Sequence, residues 1–540
     1  MNHSAETSPA TPVVKPGDGR YPALSRGFNQ RWIAHPEYVR MVTSPQQVVT
    51  ALNEAINQKS ADPHRTRITV RSGGHCYEDF VCGDDVRVIL DVSPMCGMYY
   101  DSTMQAWCVE SGATNWHVYS HLFPLSGRTL PAGSCYSVGL GGQITGGGYG
   151  LLSRQAGLTV DYLYAVEVAV VTAKRTVELV TATRDDSDPD RKDLWWAHTG
   201  GGGGNFGVVT RFWFKDLPTP PSRVLITARA WDWAGFSQEH FTHLVSSYGE
   251  YFATHQNPTT EAGRLFTLLT LTYNNGTNQI GLVAQVDAAN EDPDKDAGAA
   301  AMRDFLTKVD SDAIPTSSQM LHSVAEHAPI PNAWTPRLMP WLTATQALNS
   351  SGENRCGKYK SAYLRKPFTP AQITAMWDHL GNTPHTDFTN SQAVIQIDSY
   401  GSAINQPLHE TACRQRNSIL KMQYQVYWNR RNDTDPGDQA KNLKWIRDAY
   451  RATFADTGGV PIIGDRTDGC YINYPDVDLN DTKTWNTSGQ AWSQLYYKDA
   501  YPRLQRIKAR WDPLRIFHHT QSIEPAPKPT PGNSPHPAKQ

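Results

Sequence analysis

No stretch of the 540-residue chain approaches the roughly 18 consecutive apolar residues of a membrane span, so membrane insertion is not expected. Charge of one sign is equally missing. Fifty Lys and Arg stand against 52 Asp and Glu, a formal net charge of −2, which leaves no electrostatic basis for binding nucleic acid or an anionic membrane surface. The N-terminus, MNHSAETSPATPVVKPGDGR, lacks the basic and apolar regions of a secretory signal. The expectation is a cytoplasmic protein, with secretion of a processed form as the alternative. Cysteine is sparse: eight residues without a C-x-x-C pair do not make a disulfide scaffold, and most read as small buried hydrophobes. Neither H-E-x-x-H nor G-x-x-x-x-G-K-[ST] occurs, which disfavours a zinc hydrolase and a nucleotide hydrolase. His518 and His519 have no carboxylate–histidine spacing around them and read as structural, so no metal is expected.

What is present divides the chain by texture. Its length exceeds the roughly 250 to 300 residues at which a single core stops growing, so at least two lobes are expected. After a polar, Pro-rich leader (1–30, expected disordered) comes a helical pattern, SPQQVVTALNEAINQ, followed by short β-rich runs such as ITVRS, VRVILDVS, AVEVAVVTA and GVVTRFWF, an α+β texture over 31–217. Pro218, Pro220 and Pro221 mark a linker, since proline has no N–H to continue a sheet. Residues 218–455 alternate strands such as RLFTLLTLTY and LKMQYQVYW with amphipathic helices, suited to forming one wall of a substrate cleft. Residues 456–523 carry a tyrosine-rich run, and the Pro-rich tail 524–540 is expected to be disordered.

Two loops stand out. Arg71-Ser72-Gly73-Gly74-His75 and Ala132-Gly133-Ser134-Cys135 each set a nucleophilic side chain among small residues, and the second leads into the glycine-rich loop Gly139–Gly150. Glycine lets backbone come close to a ligand, so such loops suit a large, flat, phosphate-bearing cofactor. Backbone N–H groups there can cradle a pyrophosphate without lysine. Gly202, Gly204 and Gly207 formally satisfy G-x-G-x-x-G, but the β-branched and aromatic VVTRFWF that follows is a strand, whereas the dinucleotide fingerprint needs a helix. Gly200 to Gly204 then either bring backbone close to a cofactor or form a tight turn.

These loops, together with Leu194-Trp-Trp-Ala197 and Gly202 to Thr210, resemble the berberine-bridge-enzyme-like branch of the FAD-linked oxidases, and most nearly the bacterial members that tailor antibiotics. The likeness runs from about Thr43 to Ile523, ending in Trp511 to Ile523, so the flavin domain is expected to be discontinuous. The resemblance implies a two-lobed FAD-binding domain of the vanillyl-alcohol-oxidase type plus a substrate domain with a large antiparallel sheet covered by helices. It implies FAD bonded covalently to His75 and Cys135, with Arg71, Ser72, Gly73, Gly74, Gly133, Ser134, Gly139, Gly141, Gly142, Thr145, Tyr149, Gly150, Gly207, Val208, Val209 and Asn473 around it. A doubly linked flavin is a strong oxidant.

In the family the second tyrosine of Tyr-x-Asn-Tyr is the base that takes the substrate's hydroxyl proton while hydride goes to flavin N5. Tyr474 matches it, with Tyr471 as the alternative. A free tyrosine titrates near 10, so the base role requires phenolate support from a second tyrosine, a cation or the flavin. Tyr400 matches another family active-site tyrosine and is assigned substrate orientation or phenolate support. Gln423 and Gln425 share one face of their strand, so one of them is expected to face the substrate. Gln143 stands where several relatives have histidine, a departure close to the flavin. The implied reaction is oxidation of a hydroxyl, most simply a secondary alcohol to a ketone, on a polyketide or glycosylated natural product, with O₂ reduced to hydrogen peroxide. Oxidation of a hexose moiety or an oligosaccharide reducing end is the rival. The assembly is expected to be a monomer or homodimer.

Overall fold

The computed structural model describes residues 11–290, 292, 294–310, 334–349, 352–381 and 388–526. Most of the predicted tail and the first ten residues of the leader lie outside them. Residues 11–30 are ordered, contrary to expectation: Val13–Val14 forms β1, with Val14 fully buried, and Tyr21–Leu24 is a helical turn. Val14 joins a core cluster with Ala34, Val39, Cys82, Val86 and Ile89, against which Tyr21 and Leu24 also pack, and burying one valine contributes about 1.5 to 3 kcal/mol relative to exposure.

Among the described residues, three sheets carry the fold. β1 joins β2 (Tyr38–Met41), β3 (Arg67–Arg71) and β4 (Val86–Asp91) in the order β1-β2-β4-β3, with β2, β4 and β3 parallel. β5 (Met98–Asp101), β6 (Ala106–Glu110), β7 (Leu163–Val171), β8 (Val177–Thr183) and β9 (Val208–Phe214) make an antiparallel sheet ordered β5-β6-β9-β7-β8. The helix Pro45–Asn57 packs on both. Its N-cap Ser44 accepts from the Gln47 N–H, and Val48, Ala51, Leu52, Ala55 and Ile56 repeat at the 3-4 spacing of one buried face. Leu52, wholly enclosed, would cost about 2 to 5 kcal/mol on truncation to Ala.

The third sheet is antiparallel throughout: β10 (Arg223–Asp232), β11 (Phe266–Thr272), β12 (Gln279–Asp287), β13 (Arg337–Pro340), β14 (Cys356–Leu364), β15 (Ala393–Ser399) and β16 (Leu420–Trp428), ordered β13-β10-β12-β11-β15-β16-β14. Helices Gln238–Thr254, Ala297–Val309, Pro370–Leu380 and Gln439–Thr453 belong to the same lobe. All nine residues of β16 are buried although polar and apolar residues alternate along it. Met422, Tyr424 and Val426 occupy one face, and the helix Gln439–Thr453 packs against the strand. The other face therefore presents Lys421, Gln423 and Gln425 to a second buried surface. A buried polar face on a central strand needs partners, and the site supplies them.

Candidate active site

One cavity runs along the seam between the glycine-rich loops, the seven-stranded sheet and the C-terminal segment. It is lined by His75 and Cys135 with their loops, by Gly139, Gly141, Gly142, Thr145, Tyr149, Gly150, Gly207 and Val209, by Gln396, Asp398, Lys421, Gln423 and Gln425, and by Tyr471, Asn473 and Tyr474. Residues 400 positions apart in sequence thus share one enclosure.

The loops interlock. A Cβ built on Gly73 would stand 2.2 Å from the Gly139 nitrogen, and one on Gly139 equally 2.2 Å from the Gly73 nitrogen, so only glycine permits this backbone approach. Part of the second run, expected as loop, is a short helix, Leu140–Thr145, because Leu140 and Ile144 are fully buried one turn apart. Asn473 ties the C-terminal segment to it, donating to the Gln143 carbonyl at 2.9 Å and to the Tyr471 hydroxyl at 3.0 Å.

His75 stacks on Phe28 with ring centroids 4.6 Å apart, and its Nε2 lies 2.9 Å from the Ser137 hydroxyl. The same hydroxyl is 3.5 Å from the Cys135 sulfur, so one serine sits between the two side chains. Burial, reinforced by the Arg71 guanidinium, pushes the His75 imidazole down to about 4. It is therefore neutral near pH 7 and keeps a lone pair for bonding. Cys76 beside it is pushed up to about 12 by burial, which suits an inert thiol.

FAD fits this lining. A Cβ on Gly142 would meet nothing within 4 Å, although the residue lines the cavity, so the empty volume is there. The Ser111 hydroxyl, the Asn115 carbonyl oxygen and the Gln143 amide nitrogen all belong to lining residues and are buried without a hydrogen-bond partner among the described residues. Orphaned polar atoms of that kind mark where a ligand's polar groups go.

On the opposing sheet, Asp398 and Lys421 are cross-strand partners, as are Gln396 and Gln423. Lys421 is ion-paired with Asp398, donates to the Tyr474 hydroxyl oxygen at 3.0 Å, and lies 4.4 Å from the Tyr149 ring centroid. Tyr77 stacks between Tyr359 and Tyr474, at 3.5 and 5.6 Å, and its hydroxyl accepts from Gln423 at 3.1 Å. Burial raises Tyr471 to about 12 despite the nearby Lys421, and raises Tyr149 well above its ordinary value. Tyr149 is also committed, donating to the Ser399 carbonyl at 2.6 Å.

Two expected site residues are elsewhere. Tyr400 does not line the cavity; fully buried, it donates to the Gln415 carbonyl and packs behind Tyr149 at 5.5 Å, so it buttresses the wall from behind. Val208 belongs to the core cluster that also holds Val88 and Leu90, because strand alternation leaves only Val209 facing the cavity. Conversely, Lys421, Asp398, Gln396 and Tyr77 were not anticipated. The K-x-Q-x-Q and Q-x-D alternations in strands buried on both faces were the available signal.

Comparison with known proteins agrees with this geometry. A family described as "FAD binding domain" matches residues 36–178, and one described as "Berberine and berberine like" matches 470–524. The chain is 41% identical to aclacinomycin-N/aclacinomycin-A oxidase of Streptomyces galilaeus, over 94% of this chain and 89% of that protein. It is 37% identical to hexose oxidase of Chondrus crispus, over 94% and 93% respectively. A solved structure of a flavoenzyme involved in shunt product recycling in caerulomycin biosynthesis superposes with a TM-score of 0.86 at 40% identity, covering 96% of this chain and all of that one.

Proposed function

The chain belongs to the berberine-bridge-enzyme-like FAD-linked oxidases, and from that premise we propose that it holds FAD covalently through His75 and Cys135 and dehydrogenates a hydroxyl group of a small natural product, most simply a secondary alcohol to a ketone on a polyketide or a glycosylated scaffold. Tyr474 is the base, and O₂ is the final acceptor, released as hydrogen peroxide.

The observation that carries this reading is the 3.0 Å contact from the Lys421 ammonium to the Tyr474 oxygen, inside the cavity that both attachment residues line. A phenol is a poor base near neutrality, and an adjacent buried cation is what its charged form requires. The ammonium stands at hydrogen-bond distance from the Tyr474 oxygen while the Asp398 carboxylate holds its other side, so the contact favours the phenolate directionally and the carboxylate offsets part of the attraction. The Tyr471 ring lies 4.9 Å from that of Tyr474, and its oxygen accepts from the neutral Asn473 amide whereas that of Tyr474 accepts from an ammonium, the stronger support for a phenolate, which favours Tyr474 as the proton acceptor. Gln423, held by Tyr77, presents an amide to whatever sits against Tyr474. Bound FAD supplies the acceptor for the hydride that leaves the carbinol carbon.

A second reading, oxidation of a hexose, is favoured by the Gln423 amide on the cavity wall beside Tyr474, since an amide both donates to and accepts from a sugar hydroxyl. The similarity to a hexose oxidase supports it as well. Anaerobic mixing with simple hexoses and with glycosylated polyketides, followed by flavin bleaching and by peroxide release on admitting air, separates the two. Bleaching by neither class removes both readings.

A further inference from the structure

The cavity wall contains a hydrogen-bond chain whose direction is set at one end. Asp398 is ion-paired with the fully buried Lys421, and a carboxylate in an ion pair accepts hydrogen bonds and donates none. Gln396 must therefore offer its NH₂ to Asp398, and it does so at 2.7 Å. Its carbonyl is then left as an acceptor, and the Gln425 NH₂ reaches it at 3.4 Å. The Gln425 carbonyl in turn accepts from the Tyr427 hydroxyl at 2.9 Å. Hydroxyl, amide and amide thus all donate toward Asp398, and none of the four residues is more than 7% exposed. Gln423, directly opposite Gln396, takes no part, because its amide turns away to Tyr77.

We propose that Gln396, oriented by Gln425, is a positioning residue that keeps the Asp398 carboxylate turned onto Lys421 and thereby holds the Lys421 ammonium against the Tyr474 oxygen. This rests on Tyr474 being the base. Aligned amide dipoles ending on a buried carboxylate strengthen one another in a low-dielectric wall. Without Gln396, Asp398 is free to rotate away or to share its charge with another donor, and the ammonium loses its fixed place. The other ionisable groups facing this centre are Tyr149, Tyr471 and Tyr474 around Lys421, Tyr77 stacked on Tyr474, and Tyr248 and Arg154 behind Tyr149. Arg154 is the one cation among them, and it is bound to the carbonyls of Tyr400 and His255 and not to Asp398.

The test is an alkaline titration of the holoenzyme followed by tyrosinate absorbance and the flavin spectrum, in wild type, Tyr474→Phe, Gln396→Leu and Gln425→Leu. The step missing from Tyr474→Phe belongs to Tyr474. The expected result is that this step moves upward by about one pH unit in Gln396→Leu and by less in Gln425→Leu, with flavin content unchanged. A merely structural role for Gln396 would lower flavin content or thermal stability without moving the step. If Gln396→Leu does not fold, Gln425→Leu, one link farther away, carries the test. A step present in wild type and unmoved in the folded variants overturns this inference alone, whereas no Tyr474-dependent step in wild type overturns the base assignment and this inference together.

Discussion

Asp398 on β15 and Lys421 on β16 face each other in register, ion-paired, with side chains 2% and 0% exposed. The pair has no net charge, so the sheet tolerates it in its interior. Either member alone would be an uncompensated buried charge, which costs about 3 to 5 kcal/mol. The arrangement leaves one ammonium proton for Tyr474.

Lys421→Met is therefore expected to destabilise the protein by about 3 to 5 kcal/mol and to slow flavin reduction. Lys421→Met combined with Asp398→Leu should recover most of the stability and none of the reduction rate. Thermal melts and anaerobic stopped-flow reduction check the two halves separately.

Tyr474→Phe removes the proton acceptor without removing the ring that stacks on Tyr77. Flavin reduction by substrate should fall by roughly 10² to 10⁴, the range for a lost general base, while flavin content and melting temperature stay near wild type. An unchanged reduction rate would move the base to Tyr471.

Attachment should be insensitive to mild acid. Burial lowers the folded-state value of His75 to about 4, so the neutral, bond-forming imidazole persists well below 6.5. At about pH 5.5 an ordinary histidine would be about nine-tenths protonated, yet histidyl attachment of FAD, measured in Cys135→Ala apoprotein so that no thiolate is needed, should proceed there at nearly its pH 7 rate. The sign for stability is the reverse. The unfolded chain takes up a proton that the folded apoprotein resists, so stability falls as pH drops from about 6.5 toward 4, and His75→Ala should flatten that slope.

Gly139→Ala tests the interlocked loops. A Cβ there would sit 2.2 Å from the Gly73 backbone nitrogen and 2.4 Å from the Ser72 hydroxyl, so the two loops must separate. The ratio of flavin to protein absorbance after purification should drop severalfold, with the overall secondary structure intact by circular dichroism.

Much of this was legible in the sequence because it is local. The helix Pro45–Asn57 shows its cap and its apolar spacing within thirteen residues, and β9 identifies itself as a strand after Gly207 by its β-branched and aromatic run. The attachment loops and the Tyr471–Tyr474 run are likewise contiguous. The electrostatic partner of Tyr474 was not, since Lys421 lies 53 residues away and meets it only through the sheet order. Tyr400 failed for the same reason, because its neighbour Gln415 and its burial behind Tyr149 are tertiary facts. Val208 failed on a two-residue period, where a motif matched as a block hides which alternate side chain faces the cavity.

The most direct test of the account is denaturing mass spectrometry of the purified protein with peptide mapping of the yellow fragments. The expected result is an intact mass raised by one FAD and a flavin cross-link joining the peptides that contain His75 and Cys135. An unmodified mass from flavin-replete protein, with all FAD released into the supernatant on acid precipitation, would contradict it.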